Sequence, residues 1–69
     1  MTPDLSAREL AALTLIAEGR TNRQIGALLG VTEHTAREYV RRIFRKLGAR
    51  DRAHAVARGY QTGILGGAT

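Results

Sequence analysis

The sequence predicts an all-α chain, a compact four-helix domain containing a helix-turn-helix. Three observations predict it. Apolar residues recur at three- and four-residue intervals in four separate stretches, which is the helical period. A capping residue (Ser6, Thr21, Thr32 or Asp51) precedes each stretch, and a glycine (Gly19, Gly30, Gly48 or Gly63) follows it. No segment alternates as a strand does, and aromatic residues make up only 4% of the chain, so a sheet has little to be built from.

The elements follow in chain order. Pro3 and Asp4 resist helix, and Leu5 can staple the first turn. Ser6 followed by Glu9 is a capping box. It opens a helix over about 7–18 whose expected core face is Leu10, Leu13, Ile16 and Ala17. Thr21 with Gln24 repeats the pattern and opens a short helix over about 22–29, with Ile25, Leu28 and Leu29 as its stripe. A helix this short is marginal alone and must be held by packing. Thr32 caps a third helix, with Glu33 in its first turn and Arg45 and Lys46 in its last, each complementing the helix dipole. Ala36, Val40, Ile43 and Leu47 fall at 4-3-4 spacing and make one buried stripe, which Phe44 widens. Asp51 caps a fourth helix over about 52–62, whose apolar face is Ala55, Val56 and Tyr60, with Ala53 and Ala57 beside it. The Val56 and Tyr60 patch can complete the core or build a dimer interface, and the dimer is favoured. Ile64 and Leu65 can fold back as a small clasp. The domain is thus expected over 6–65, with a leader at 1–5 and a flexible tail at 66–69.

Composition narrows the function. The chain has 69 residues and a net charge of +5, from 11 basic and 6 acidic side chains. That imbalance suits a polyanion, either nucleic acid or an anionic membrane surface. There is no cysteine, so neither a disulfide framework nor a thiolate metal site is available. His34 and His54 lie far apart without ligand-like companions, so no metal and no cofactor are expected. No apolar run approaches the ~20 residues of a membrane span. The start lacks a signal peptide's basic and apolar regions. A cytoplasmic protein is the expectation.

Residues 22–41 carry the functional signal: short helix, tight Gly-containing turn, long helix, the helix-turn-helix pattern. Ile25, Val31, Ala36 and Val40 are the expected posts that fix the crossing, and Gly26 permits close helix approach. On the other side of the third helix, Arg37, Arg41 and Arg45 follow at four-residue steps, with Arg42 and Lys46 beside them. A helix that is apolar on one side and cationic on the other fits the major groove of B-DNA. An isolated basic run is more often a solvated face; its place in a helix-turn-helix favours DNA contact. Arg8 and Glu9 read better as a structural ion pair and cap than as an acid–base couple, and no catalytic residues are expected. Asn22 and Arg23 can position the second helix or meet a phosphate, and Arg23 is favoured for the phosphate.

The chain resembles the LuxR-type (GerE- or NarL-type) DNA-binding domain of bacterial transcription regulators. The resemblance rests on Leu5-Ser6, Arg8-Glu9, Leu13, Leu15-Ile16-Ala17, Gly19 and Thr21-Asn22-Arg23-Gln24-Ile25. It continues through Leu29, Val31-Thr32-Glu33, Thr35, Arg37, Val40, Ile43, Lys46-Leu47-Gly48, Arg52 and Ala55-Val56. It implies that the third helix is the recognition helix, with DNA contact at Arg37 and base reading at Glu38 and Arg41. It also implies a homodimer on inverted-repeat DNA, with the fourth helix forming much of the dimer contact. The chain departs from the family pattern at Leu10-Ala11, Gly26, Ala36 and Tyr39. Ala36 and Glu38 bear on which sequence is preferred.

The expected DNA-contacting set is Arg23, Thr32, His34, Thr35, Arg37, Glu38, Arg41, Arg42, Arg45 and Lys46. The expected dimer interface is Ala55, Val56, Gly59 and Tyr60. The expected partners are double-stranded DNA and a second copy, with RNA polymerase as a further candidate and no membrane. The alternative is a protein-interaction helix-turn-helix that docks on polymerase or an inhibitor.

Overall fold

The structure, a computed structural model, describes residues 4–66. Four helices run in order: α1 (Ala7–Ala17), α2 (Asn22–Leu29), α3 (Glu33–Leu47) and α4 (Arg52–Gln61). There is no strand among the described residues. The expected all-α, four-helix fold is the observed one. Residues 1–3 of the leader and 67–69 of the tail lie outside the described residues.

Local chemistry starts each helix where the sequence places it. Ser6 and Thr21 form complete capping boxes: each hydroxyl accepts from the amide three residues on, and Glu9 and Gln24 reach back to the cap amides. Thr32 and Asp51 cap α3 and α4 through the amides of Thr35 and His54. α2 and α3 end on Gly30 and Gly48, both in the left-handed conformation.

α3 is the packing hub and touches each of the other three helices. Its stripe of Ala36, Val40, Ile43 and Leu47 is buried as expected, and with Ala12, Leu13, Ile16, Ile25, Ala55 and Leu65 it forms one core. Leu5 packs against that core from the leader, and Ile64 does so from the segment after α4.

Three expected faces hold in part: Leu13, Ile16, Ile25 and Ala55 are in the core, and Ala17, Leu29 and Val56 pack against it. Leu10 is 39% exposed and Leu28 is 57% exposed, so neither belongs to the core. Glu9 and Ala12 join Leu13 and Ile16 on the buried face of α1, and Gly26 joins Ile25 on that of α2. α4 buries Ala55 and Gly59 and leaves Tyr60 outside. Gly59 is buried because Leu65 lies on it: a Cβ there would stand 2.6 Å from Leu65 Cδ1. The Leu65 amide also donates to the Gly59 carbonyl. The clasp is therefore real, and it occupies the surface of α4 on which Gly59 had been placed as a dimer contact.

Candidate nucleic-acid interface

The geometry of α3 decides what its outer face holds. At about 100° per residue, the buried stripe points one way and Glu38, Arg45 and His34 point nearly opposite. Arg41 and Arg42 flank that centre line, Arg37 lies at one edge, and Lys46 and Thr35 lie toward the other. His34, Arg37, Arg41, Arg42, Arg45 and Lys46 are exposed, and Thr35 and Glu38 are half-buried.

Arg37, Arg41 and Arg42 are each oriented by a neighbour on the same helix. The Arg37 guanidinium lies 3.5 Å from Glu33, one turn back. Arg41 Nη1 lies 3.9 Å from Glu38 Oε2, an ion pair too long for a hydrogen bond. The Arg42 guanidinium sits over the Tyr39 ring, 5.9 Å from its centre. These contacts are exposed and contribute little to stability, but they set where the guanidiniums start.

Lys46 is held differently. Its ammonium donates to Glu9 Oε1 at 2.8 Å and to the Asp4 carbonyl at 3.1 Å. Two of the three ammonium protons are thereby used. The expected partner of Glu9 was Arg8, but the structure gives Glu9 to Lys46. Arg8 Nη1 instead donates to the Leu29 carbonyl at the end of α2, at 2.9 Å. Burial pushes the Glu9 carboxyl up. The bonds from Lys46 and from the Ser6 amide and hydroxyl outweigh that and leave it below its ordinary value of 4.5.

The first helix of the pair is fixed to the body by Arg52, which the sequence named within the family resemblance but without a role. Arg52, at the start of α4, donates to Asn22 Oδ1 at 2.7 Å and to the Arg20 carbonyl. This satisfies a carbonyl in the α1–α2 turn and locks the entry to α2. Arg58 Nε caps the Leu47 carbonyl at the end of α3, at 3.0 Å. A guanidinium suits such sites because its rigid fork meets carbonyls left open at helix ends. Arg23 is exposed in the first turn of α2. Thr32 is exposed, and its hydroxyl is spent on Thr35, accepting from the amide at 3.0 Å and donating to the side-chain oxygen at 3.1 Å.

The turn between α2 and α3 is tight because of Gly26. A Cβ there would lie 2.9 Å from the Val31 carbonyl oxygen and 3.0 Å from that of Thr32. The close approach that Gly26 permits is thus to the turn backbone. Val31 is half-buried beside it.

The expected dimer residues separate. Ala55 has no exposed surface and Gly59 is buried. Val56 is half-buried and Tyr60 is 57% exposed, and Ala53 and Ala57 share the outer side of α4 with Tyr60. Among the described residues, no three His, Asp or Glu side chains are gathered to hold a metal ion. None of the described helices is long and apolar enough to cross a membrane.

A short capped helix, a tight turn and a long helix with an outward arginine face make this a helix-turn-helix module of the kind that binds DNA. Residues 3–58 match the family model GerE, "Bacterial regulatory proteins, luxR family". The transcriptional activator protein AhyR of Aeromonas hydrophila is 38% identical over 88% of this chain and 24% of its own length. The HTH-type transcriptional activator RamA of Corynebacterium glutamicum is 41% identical over 93% of the chain and 23% of its own. The probable transcriptional regulatory protein NarL of Mycobacterium tuberculosis is 42% identical over 94% and 30%. Among solved structures, the response regulator ChrA of a heme-sensing two-component system superposes with a TM-score of 0.86. It is 34% identical and covers 90% of this chain and 31% of that one. The chain belongs to the luxR family of bacterial regulatory proteins. It spans about a quarter of the length of the curated relatives it matches.

Proposed function

We propose that this domain binds double-stranded DNA sequence-specifically on behalf of a transcription regulator, with α3 in the major groove. The observation that carries the proposal is the arrangement of α3: its core stripe is fully committed, and Arg37, Arg41, Arg42 and Arg45 stand on the other side. Arg37, Glu38 and Arg41 read bases. Thr35, Arg42, Arg45 and Lys46 meet the backbone, joined by Arg23 and His34, with Thr32, whose hydroxyl is already bonded to Thr35, at the cap beside them. Lys46 retains one ammonium proton for a phosphate oxygen after its bonds to Glu9 and Asp4.

A homodimer on an inverted repeat is the assembly we favour. Val56 and Tyr60, with Ala53 and Ala57, supply its surface on α4. Ala55 and Gly59 support that helix from inside. The likeness to the response regulator ChrA favours an effector domain that acts in the cytoplasm under the control of a separate sensing segment. A gel-shift titration on a selected duplex tests the proposal. Binding that weakens steeply with salt is expected, and no binding at low salt overturns it.

A further inference from the structure

The base that α3 selects can be argued from one residue, Glu38. It sits near the middle of the outward face, in line with Arg45 and His34 and almost opposite the core stripe. Glu33, the other acid of α3, is at its first residue and faces Arg37. An acid in the middle of a DNA-facing surface works against binding. It repels phosphates, and its carboxylate loses water when the helix enters the groove. The nearby Arg41 offsets part of the repulsion, but at 3.9 Å it makes no hydrogen bond; a donor on the base edges restores the bonds that the carboxylate loses.

The major groove offers two such donors, the cytosine N4 amino group and the adenine N6 amino group. Adenine places its N7 acceptor beside the amino group, against the second carboxylate oxygen. Cytosine presents the amino group with no acceptor of its own on that edge. The pairing partner of cytosine is guanine, whose O6 and N7 take an arginine fork. Arg41 stands ready for it: its guanidinium is 3.9 Å from Glu38 Oε2, and its side chain is 67% exposed while that of Glu38 is 38% exposed. The separation leaves the donors of Arg41 and the acceptors of Glu38 unspent on each other.

We infer that Glu38 and Arg41 act as one reading unit for cytosine and guanine. Glu38 accepts from a cytosine amino group, and Arg41 takes the guanine of that pair or of the adjoining one. Glu38 is then the specificity-determining residue of the domain, and it suppresses binding to unrelated duplexes. The inference rests on the proposed DNA binding by α3 and adds the identity of the base.

The test is selection from random duplexes by the wild-type chain and by its Glu38→Gln and Glu38→Ala variants, followed by competition on the selected site. Circular dichroism melts check that each variant is folded. The wild-type chain is expected to enrich a C·G pair, at least about fivefold over the other pairs at that position. Glu38→Gln is expected to move the preference to adenine, which an amide reads through N6 and N7. Glu38→Ala is expected to erase the preference and to tighten binding to unrelated duplexes. Enrichment of adenine by the wild-type chain, or the same preference in all three proteins, overturns the assignment of Glu38 while leaving DNA binding intact. Enrichment of no sequence by the wild-type chain overturns the proposed function itself, and this inference with it.

Discussion

Glu9 shows how much one side chain can hold. It closes the capping box of α1, lies 4% exposed beside the core, and fixes Lys46 from the far end of α3. Its folded carboxyl titrates below 4.5, so on acidification the unfolded chain takes up its proton first. Stability from this group is therefore fully present above about pH 4.5 and is lost as pH falls through the lower folded value. Thermal melts should show that loss in the wild-type chain and a much flatter acid limb in Glu9→Gln. That variant should also lose about 1–3 kcal/mol at neutral pH, because it leaves the Lys46 ammonium without its carboxylate. Lys46→Gln should cost stability too and, through its remaining proton, flatten the salt dependence of DNA binding by about one unit. Arg41 is the contrasting case, an exposed side chain with no structural duty in the core. Arg41→Ala should leave the melting curve unchanged, cost about 1–3 kcal/mol on the preferred duplex and relax specificity there. Equal loss on preferred and random duplexes would remove its base-reading role.

The four helices differ in how openly the sequence displays them. α3 was legible because Ala36, Val40, Ile43 and Leu47 form a single stripe with arginines on the other side, so only one rotation satisfies both faces. The caps were legible because they are local, each made within three residues. The faces of α1 and α2 were legible only in part: Leu13, Ile16 and Ile25 are buried as expected, and Leu10 and Leu28 are not. α1 carries Leu10 beside Leu13, and α2 carries Leu28 beside Leu29, so two rotations look equally apolar. The deciding facts are long-range: Glu9 can be buried because Lys46 meets it 37 positions away. The roles of Arg52 and Arg58 were hidden for the same reason, since their partners are carbonyls and a side chain on other elements. On the cationic face the sequence supplied the residues and the 3.6-residue period. The pairing of Arg41 with Glu38 and the seat of Arg42 on Tyr39 came from the structure. At this scale, loss of the cap on short α2 should matter: Thr21→Ala should destabilise the domain by about 1 kcal/mol in thermal or urea melts.

For the whole molecule, the two uses proposed for α4 lie on opposite sides of it. Ala55 and Gly59 face inward, where Leu65 closes the core, and Tyr60 faces out. Monomer folding and dimer formation should therefore be separable. Tyr60→Asp should keep a melting temperature close to wild type while weakening cooperative binding to a two-half-site duplex, as read by sedimentation and gel shift. Leu65→Ala should do the reverse and cost about 2 kcal/mol of stability by opening a cavity over Gly59. The binding readout presupposes that α3 enters DNA. Equilibrium binding of the wild-type chain to a selected duplex and to a random duplex of equal length, over a salt titration, measures that directly. The selected duplex should bind at least about a thousandfold tighter, and both affinities should fall log-linearly with salt. Equal affinity for the two duplexes, or no binding to either at low salt, would contradict a sequence-reading role for α3.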